Sequence, residues 1–421
     1  MKKFIINGGR KLNGEVYVSG SKNATLPIMA AAMLSDEPSH ITGIPLVRDI
    51  KTMAELLRIL GASVAIEGRE MKIFPSGIRS YKAPYELVKT MRASIYALGP
   101  LTAKYGQAKV SLPGGCAIGL RPIDLHIKGL QKLGAKIEIK HGYVKASAKK
   151  LKGAVIVFDK VSLGATVNVM LAACLASGTS VLKNASKEPE IVETACFLKT
   201  MGAEIEGIGT DTLTIKGKSS LAGVKDYKII PDRIEAATLI AAGVITKGDV
   251  HIRGLKPEQL TVFLEKLAET GAKFEVSGDS VHVKPMKGRL KAVDIITEPY
   301  PGFPTDIQAQ WMALMTMAKG DAVIKENIWE NRFMHAQELV RMGAVIKVDA
   351  STAVISGVKK LSGADVMASD LRASAALILA GLAAEGKTEI RRIYHLERGY
   401  EELDLKLRLL GADIRSENEV M

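Results

Sequence analysis

Apolar positions along the chain follow two alternating patterns. One is amphipathic, as in Met53-Ala54-Glu55-Leu56-Leu57-Arg58-Ile59-Leu60, with apolar residues at helical spacing and charges on the opposite face. The other is Ala-rich and apolar on all sides: Ala24 to Leu34, Ala165 to Ala176, Ile234 to Ile245, Ile307 to Ala318 and Ala373 to Ala384. The first pattern predicts outer helices. The second predicts helices buried all round.

A Gly-Ala pair closes each amphipathic stretch: Gly61-Ala62, Gly134-Ala135, Gly202-Ala203, Gly271-Ala272, Gly343-Ala344 and Gly411-Ala412. The glycines are 68 to 73 residues apart. Glycine there fits a helix C-terminus. Alternating runs such as Lys136-Ile137-Glu138-Ile139 follow and predict strands. Each unit is therefore a buried helix, a strand, an outer helix and a hairpin, repeated six times.

The ends of the chain complete the pattern. Leu12-Asn13-Gly14 echoes Leu151-Lys152-Gly153, Leu221-Ala222-Gly223 and Leu361-Ser362-Gly363. The last repeat stops near Ile414-Arg415, one strand short, so the first ~21 residues are expected to supply that strand. The predicted domains are 22–230, and 1–21 with 231–421. Two chain crossings between them make a natural hinge.

The residues that open the buried helices are polar or charged: Lys22-Asn23, Arg92, Ser162, Asp232-Arg233, Asp306 and Asp370-Leu371-Arg372. Helix N-termini attract anions, and three per domain can face one cleft. Asp and Ser there also serve as N-caps, an equally good reading for Asp232 and Asp306. Lys22, Arg92 and Arg372 have the wrong charge for capping and favour a ligand role. Asp232 and Asp370 join the candidate binding set by their place at helix starts.

Composition narrows the partner. The net charge of +13 calls for an anionic one, yet aromatics are only 5% and no long basic block occurs. A phosphorylated metabolite fits better than nucleic acid. No apolar run is long enough for a membrane span, and no signal peptide is read at the N-terminus. Cys116, Cys174 and Cys196 are an odd, sparse set, which suits a reducing cytoplasm. No Cys/His group has metal-ligand spacing, so no metal or cofactor is expected.

One loop carries candidate chemistry: Leu112-Pro113-Gly114-Gly115-Cys116-Ala117-Ile118-Gly119-Leu120-Arg121. Its glycines and prolines predict a shaped loop. Arg121 can lower the Cys116 thiol pKa, making it an acid or nucleophile. A small packed hydrophobe is the other reading of Cys116, and the preferred one for Cys174 and Cys196. Gly381-Leu382-Ala383-Ala384-Glu385-Gly386-Lys387-Thr388 matches a phosphate-loop pattern. It follows a helix and precedes a strand, the reverse of a working loop.

Several stretches together resemble the enolpyruvyl transferases over essentially the whole chain. They are Ser21-Lys22-Asn23-Ala24, Lys89 to Ser94, Leu112 to Cys116, Arg121-Pro122-Ile123-Asp124-Leu125-His126, Pro231 to Glu235, Phe303 to Asp306, Glu330 to His335 and Asp370 to Ser374. The resemblance implies an α/β fold, a two-domain inside-out α/β barrel with three repeats per domain. It implies transfer of the enolpyruvyl group of phosphoenolpyruvate to UDP-N-acetylglucosamine, the first committed step of peptidoglycan precursor synthesis. Lys22, Arg121 and Arg398 would hold the donor phosphate, with Arg372 and Arg332 near its carboxylate. Asn23, Arg92, Arg121, Pro122, Ile123, Asp124, Leu125, Lys160, Val161, Ser162, Leu163, Asp306 and Ile328 would hold the UDP-sugar. Cys116 would serve carbon 3 of the enol and react with fosfomycin. Asp306 would take the hydroxyl proton, and the division of proton transfers among Lys22, Cys116 and Asp306 stays open. Arg48 stands where the family commonly has Lys, a change of shape at equal charge. The shikimate-pathway transferase is the nearest alternative, and a basic polyanion-binding protein is the alternative from another class.

Overall fold

The computed structural model describes residues 2–112 and 123–418. Among them, one unit comprises residues 20–112 and 123–230, and the other residues 2–19 and 231–418. Each has its own apolar core. Each holds three four-stranded sheets.

The repeat glycines explain the periodicity. All six lie at positive φ, from 82° to 109°, just after an outer helix. A side chain there would be strained, and glycine is not. The following strands are Ser63–Glu67, Lys136–Lys140, Glu204–Glu206, Phe274–Ser277, Val345–Asp349 and Asp413–Asn418.

One sheet shows the common plan. Val155–Val157, after Leu151-Lys152-Gly153, runs parallel to Thr179–Lys183. That strand pairs antiparallel with Thr212–Lys216, which pairs with Glu204–Glu206. In the first unit the circle closes when Tyr227–Lys228 lies parallel to Ser39–Thr42. In the second, the N-terminal residues give two strands rather than the one expected from sequence. Lys2–Asn7 pairs with both Lys387–Arg391 and Asp413–Asn418, completing the last repeat. Asn13–Tyr17 crosses to a different sheet, parallel to Asp249–Arg253. The last strand also reaches Asn418, beyond Arg415.

Helices form the inside and sheets the outside of each unit, which makes each an inside-out α/β barrel. Arg233–Ile245 is buried at every position. It packs against Thr305–Thr316 and Leu371–Ala383, which also pack on each other. In the other unit, the inner helix of the second repeat differs from its five counterparts. It opens as a 3-10 turn, Arg92–Ala97, and continues as Leu98–Tyr105. Gly99 explains the close approach there: a Cβ would lie 2.3 Å from the Asn168 carbonyl oxygen. The Gly99 N–H donates to Asn168 Oδ1 at 2.7 Å. In the phosphate-loop look-alike, Gly381 lies inside the helix Leu371–Ala383 and Thr388 in the next strand, so the loop geometry is not formed.

No helix among the described residues is long and apolar enough to cross a membrane.

Candidate active site

The three inner helices of the second unit begin with Arg233, Thr305-Asp306 and Leu371-Arg372. Their opening aspartates divide into two kinds. Asp232 caps its helix, its Oδ1 accepting from the N–H groups of Ile234 at 2.8 Å and Glu235 at 3.1 Å. Asp370 does the same for Arg372 at 2.9 Å and Ala373 at 3.1 Å. Asp306 does not cap, because Pro304 stands at that position.

Asp306 is instead held by two guanidinium groups. Arg332 Nη2 donates to its Oδ1 at 2.8 Å. Arg372 Nη2 donates to its Oδ2 at 3.0 Å. The arginine side chains are 4% and 5% exposed, against 33% for Asp306, so two buried cations converge on one accessible carboxylate. Burial is the largest influence and opposes the Arg372 charge, but Asp306, Tyr400 and Asp232 together outweigh it and its pKa is raised. The Arg372 guanidinium also lies over the Tyr400 ring, 5.4 Å from its centre. The Tyr400 hydroxyl shares hydrogen bonds with Thr238 and Gln310 on the neighbouring inner helices. Arg398 closes a 3-10 turn, Ile393–Arg398, two residues before Tyr400 and is half-buried.

Ile328 follows the strand Asp321–Glu326. Its N–H donates to Glu326 Oε1 at 2.9 Å, as do Trp329 N–H at 3.2 Å and the Thr297 hydroxyl at 2.8 Å. The other oxygen, Oε2, accepts from the Thr305 hydroxyl at 3.0 Å. One buried carboxylate thus ties the Ile328 loop to the residue before Asp306. Glu326 is not among the site residues expected from the sequence. The signal was available: Ala322, Ile324 and Glu326 alternate onto the buried face, and an acid there needs several donors.

In the first unit, Lys22 opens the helix Lys22–Ala31 and is buried, its Nζ 3.3 Å from Asp49 Oδ2. Asn23 beside it is half-buried. Ser162 caps the helix Leu163–Ala173 through the Ala165 N–H. His126 fixes the helix Asp124–Lys132 against that one. Its Nδ1 lies 2.9 Å from Asn168 Nδ2, which also donates to the Ile95 carbonyl at 2.8 Å. Lys128 adds an ion pair to Asp159 at 2.8 Å. The helix Asp124–Lys132, which follows Ile123 and includes Leu125, thus packs against Leu163–Ala173, which follows Lys160, Val161 and Ser162, and Arg92 is close enough to act electrostatically on His126. Arg48 is exposed at the start of Arg48–Leu60. Cys116, Arg121 and Pro122 lie outside the described residues.

Two buried histidines carry a pH consequence. Burial, with Arg92 adding, pushes the His126 pKa down to about 3. Burial pushes His335 down to about 4 against the pull of Asp370. Both stay neutral in the folded chain and charge in the unfolded one. Their contribution is intact above pH ~6.5 and is lost as pH falls from there toward the folded values, at up to ~1.4 kcal/mol per pH unit each. Urea unfolding followed at pH values from 7 down to 4.5 checks this. His126→Gln should lose stability less steeply than the unsubstituted chain, and parallel curves would contradict it.

A family model described as EPSP synthase (3-phosphoshikimate 1-carboxyvinyltransferase) matches residues 6–407. The chain belongs to the EPSP synthase family. Within this family it is 56% identical over 420 residues to the UDP-N-acetylglucosamine 1-carboxyvinyltransferase of Trichlorobacter lovleyi, covering all of both chains. It is 52% identical to the protein of that name from Pectobacterium carotovorum, again over both full lengths. Among solved structures, the enolpyruvyl transferase NikO from Streptomyces tendae superposes with a TM-score of 0.91 at 29% identity, covering 100% of this chain and 99% of that one. EPSP synthase from Acinetobacter baumannii shares the fold, with a TM-score of 0.76 at 19% identity over 99% of this chain and 100% of that one.

Proposed function

We propose that this protein transfers the enolpyruvyl group of phosphoenolpyruvate to the 3'-hydroxyl of UDP-N-acetylglucosamine and releases phosphate. The observation that carries the chemistry is the Asp306 carboxylate between buried Arg332 and Arg372. The acceptor is argued from the full-length relatives that bear its name.

The reaction is an addition followed by an elimination. The sugar hydroxyl adds to carbon 2 of the enol as its proton goes to Asp306, while an acid protonates carbon 3. Cys116 is assigned that acid role, with Lys22 the other candidate for a proton transfer. A proton then leaves carbon 3 and phosphate departs, restoring the double bond on the sugar. Fixed cations suit both anionic ends of the donor. Lys22, Arg121 and Arg398 are assigned to its phosphate, and Arg332 and Arg372 to its carboxylate. Asn23, Arg92, Pro122, Ile123, Asp124, Leu125, Lys160, Val161, Ser162, Leu163 and Ile328 are assigned to the UDP-sugar. Asp232 and Asp370 serve through the helix starts they cap.

The arginine clamp suggests an order. Both Asp306 oxygens accept from guanidinium groups. A donor carboxylate that took over one guanidinium would release an oxygen to accept the hydroxyl proton. The base would then become active only beside a bound donor. In the cell, such an enzyme works in the cytoplasm and feeds wall synthesis, on which shape and division depend.

Phosphate release with each acceptor tests the assignment. Release is expected with UDP-N-acetylglucosamine plus phosphoenolpyruvate, and not with shikimate 3-phosphate in its place. Release with the shikimate alone would overturn it. Glu326 offers a second check. Glu326→Ala should raise the KM for the UDP-sugar about tenfold, because Ile328 loses its anchor, with a smaller change in kcat. Glu326→Gln should recover most of the loss, and equal KM values in all three proteins would remove Glu326 from the site.

A further inference from the structure

Four residues form a row across the outer face of one sheet in the second unit. His251 on Asp249–Arg253 stands opposite His282 on Ser280–Val283. Glu15 on Asn13–Tyr17 flanks His251, and Glu275 on Phe274–Ser277 flanks His282. The imidazole rings stack, with centres 3.7 Å apart and planes 16° from parallel. Asp249 lies two residues before His251 and so on the same face. Its Oδ1 is 2.6 Å from His282 Nε2. One donor atom from each of Asp249, His251 and His282 lies within 4.8 Å of the others, and all three residues are half-buried. The two glutamates are engaged elsewhere, Glu15 by Arg253 and Glu275 by Lys284. They remain close enough to act electrostatically on the histidines.

We propose that Asp249, His251 and His282 bind one divalent transition-metal ion of the zinc class on this sheet face. Two imidazoles and a carboxylate are a common donor set for such an ion, and water can take a fourth position. Metal–donor bonds of about 2.0–2.2 Å require donor atoms roughly 3.3 Å apart, so binding would turn the two imidazoles out of their present stack. Spacing along the chain hides the set, because the histidines come from strands that are not adjacent in sequence. The ion would clamp two neighbouring strands. Asp249 and His251 follow the C-terminal end of the helix Arg233–Ile245, with His282 on the strand paired to theirs, whereas Asp232, Asp306 and Arg372 stand at helix starts. It is therefore not a catalytic metal of the transfer reaction.

Calorimetric titration of the chelator-stripped full chain with zinc chloride tests this, with cobalt absorption as a report on ligand geometry. One ion per chain is expected, and the unfolding temperature should rise with zinc. His251→Ala and His282→Ala should each weaken binding at least tenfold and abolish the thermal shift, while far-ultraviolet circular dichroism confirms that both fold. His282→Gln serves where His282→Ala does not fold. Absence of zinc binding in the unsubstituted chain, or binding that persists unchanged in the histidine variants, overturns the proposal.

Discussion

Asp306→Asn is expected to lower kcat by about three orders of magnitude, with much smaller changes in either KM. The amide keeps the shape of the carboxylate but cannot take the hydroxyl proton, and general-base catalysis contributes roughly 10²–10⁴-fold. The change also removes the one carboxylate charge that both buried guanidinium groups hydrogen-bond. The guanidinium groups lose a charged partner that is itself a third exposed, so stability falls as well, by less than for a fully buried pair. A thermal unfolding curve therefore has to accompany the kinetics, so that turnover is compared at equal folded fractions. A folded Asp306→Asn variant with kcat within tenfold of the unsubstituted enzyme would remove Asp306 from the proton transfer. Single-turnover measurement adds a second view, because the loss should fall on the chemical step rather than on substrate binding.

Cys116→Ser is expected to lose most turnover, while Cys116→Asp keeps a part of it, since an acid remains to protonate carbon 3. The same thiol should be the site of covalent inactivation by fosfomycin, a small epoxide that carries a phosphonate. Cationic groups that orient the donor phosphate would orient the phosphonate too, and the epoxide would open by attack of the thiolate. One adduct per chain should form, faster with the UDP-sugar present. The other cysteines are poor competitors for different reasons. Cys174 is buried, and burial pushes its thiol pKa up to about 12, so it holds almost no thiolate at neutral pH. Cys196 is exposed on the outer helix Pro189–Thr200. No anion-orienting role is assigned to the residues of that helix. Peptide mass spectrometry distinguishes the three. An adduct chiefly on Cys174 or Cys196, or full turnover by Cys116→Ser, would contradict the assignment. Cys116→Asp should also escape inactivation.

The repeats were legible because each one imposes the same local demand. A helix that ends in a left-handed turn requires glycine, and six such glycines mark the period. The buried helices were legible because apolar residues on every face leave no side for water. The inner helix of the second repeat was harder to read. Gly99 and Pro100 interrupt its apolar pattern, and the reason for Gly99 lies in Asn168, far along the chain. The crossing of Asn13–Tyr17 to the sheet of Asp249–Arg253 is a non-local pairing, and no local pattern specifies its partner. The candidate site divides in the same way. Lys22, Arg92 and Arg372 stood out because a cation at a helix start opposes the helix dipole. Capping and clamping are identical in sequence, since both begin with an aspartate before an apolar helix. Only position relative to the first turn separates Asp232 and Asp370 from Asp306. Glu326 went unread because a lone acid at a strand end is usually solvated, and its donors come from Thr297, Thr305 and the following loop.

Label transfer follows the enolpyruvyl group itself. The purified chain is incubated with UDP-N-acetylglucosamine and phosphoenolpyruvate carrying carbon label in its three-carbon unit, and the sugar nucleotide is analysed by mass spectrometry while phosphate is counted. The whole labelled three-carbon unit is expected on the sugar nucleotide, joined through an ether oxygen, with one phosphate released for each group transferred. Phosphate release that leaves the sugar nucleotide unlabelled, or label that reaches no acceptor, would contradict it.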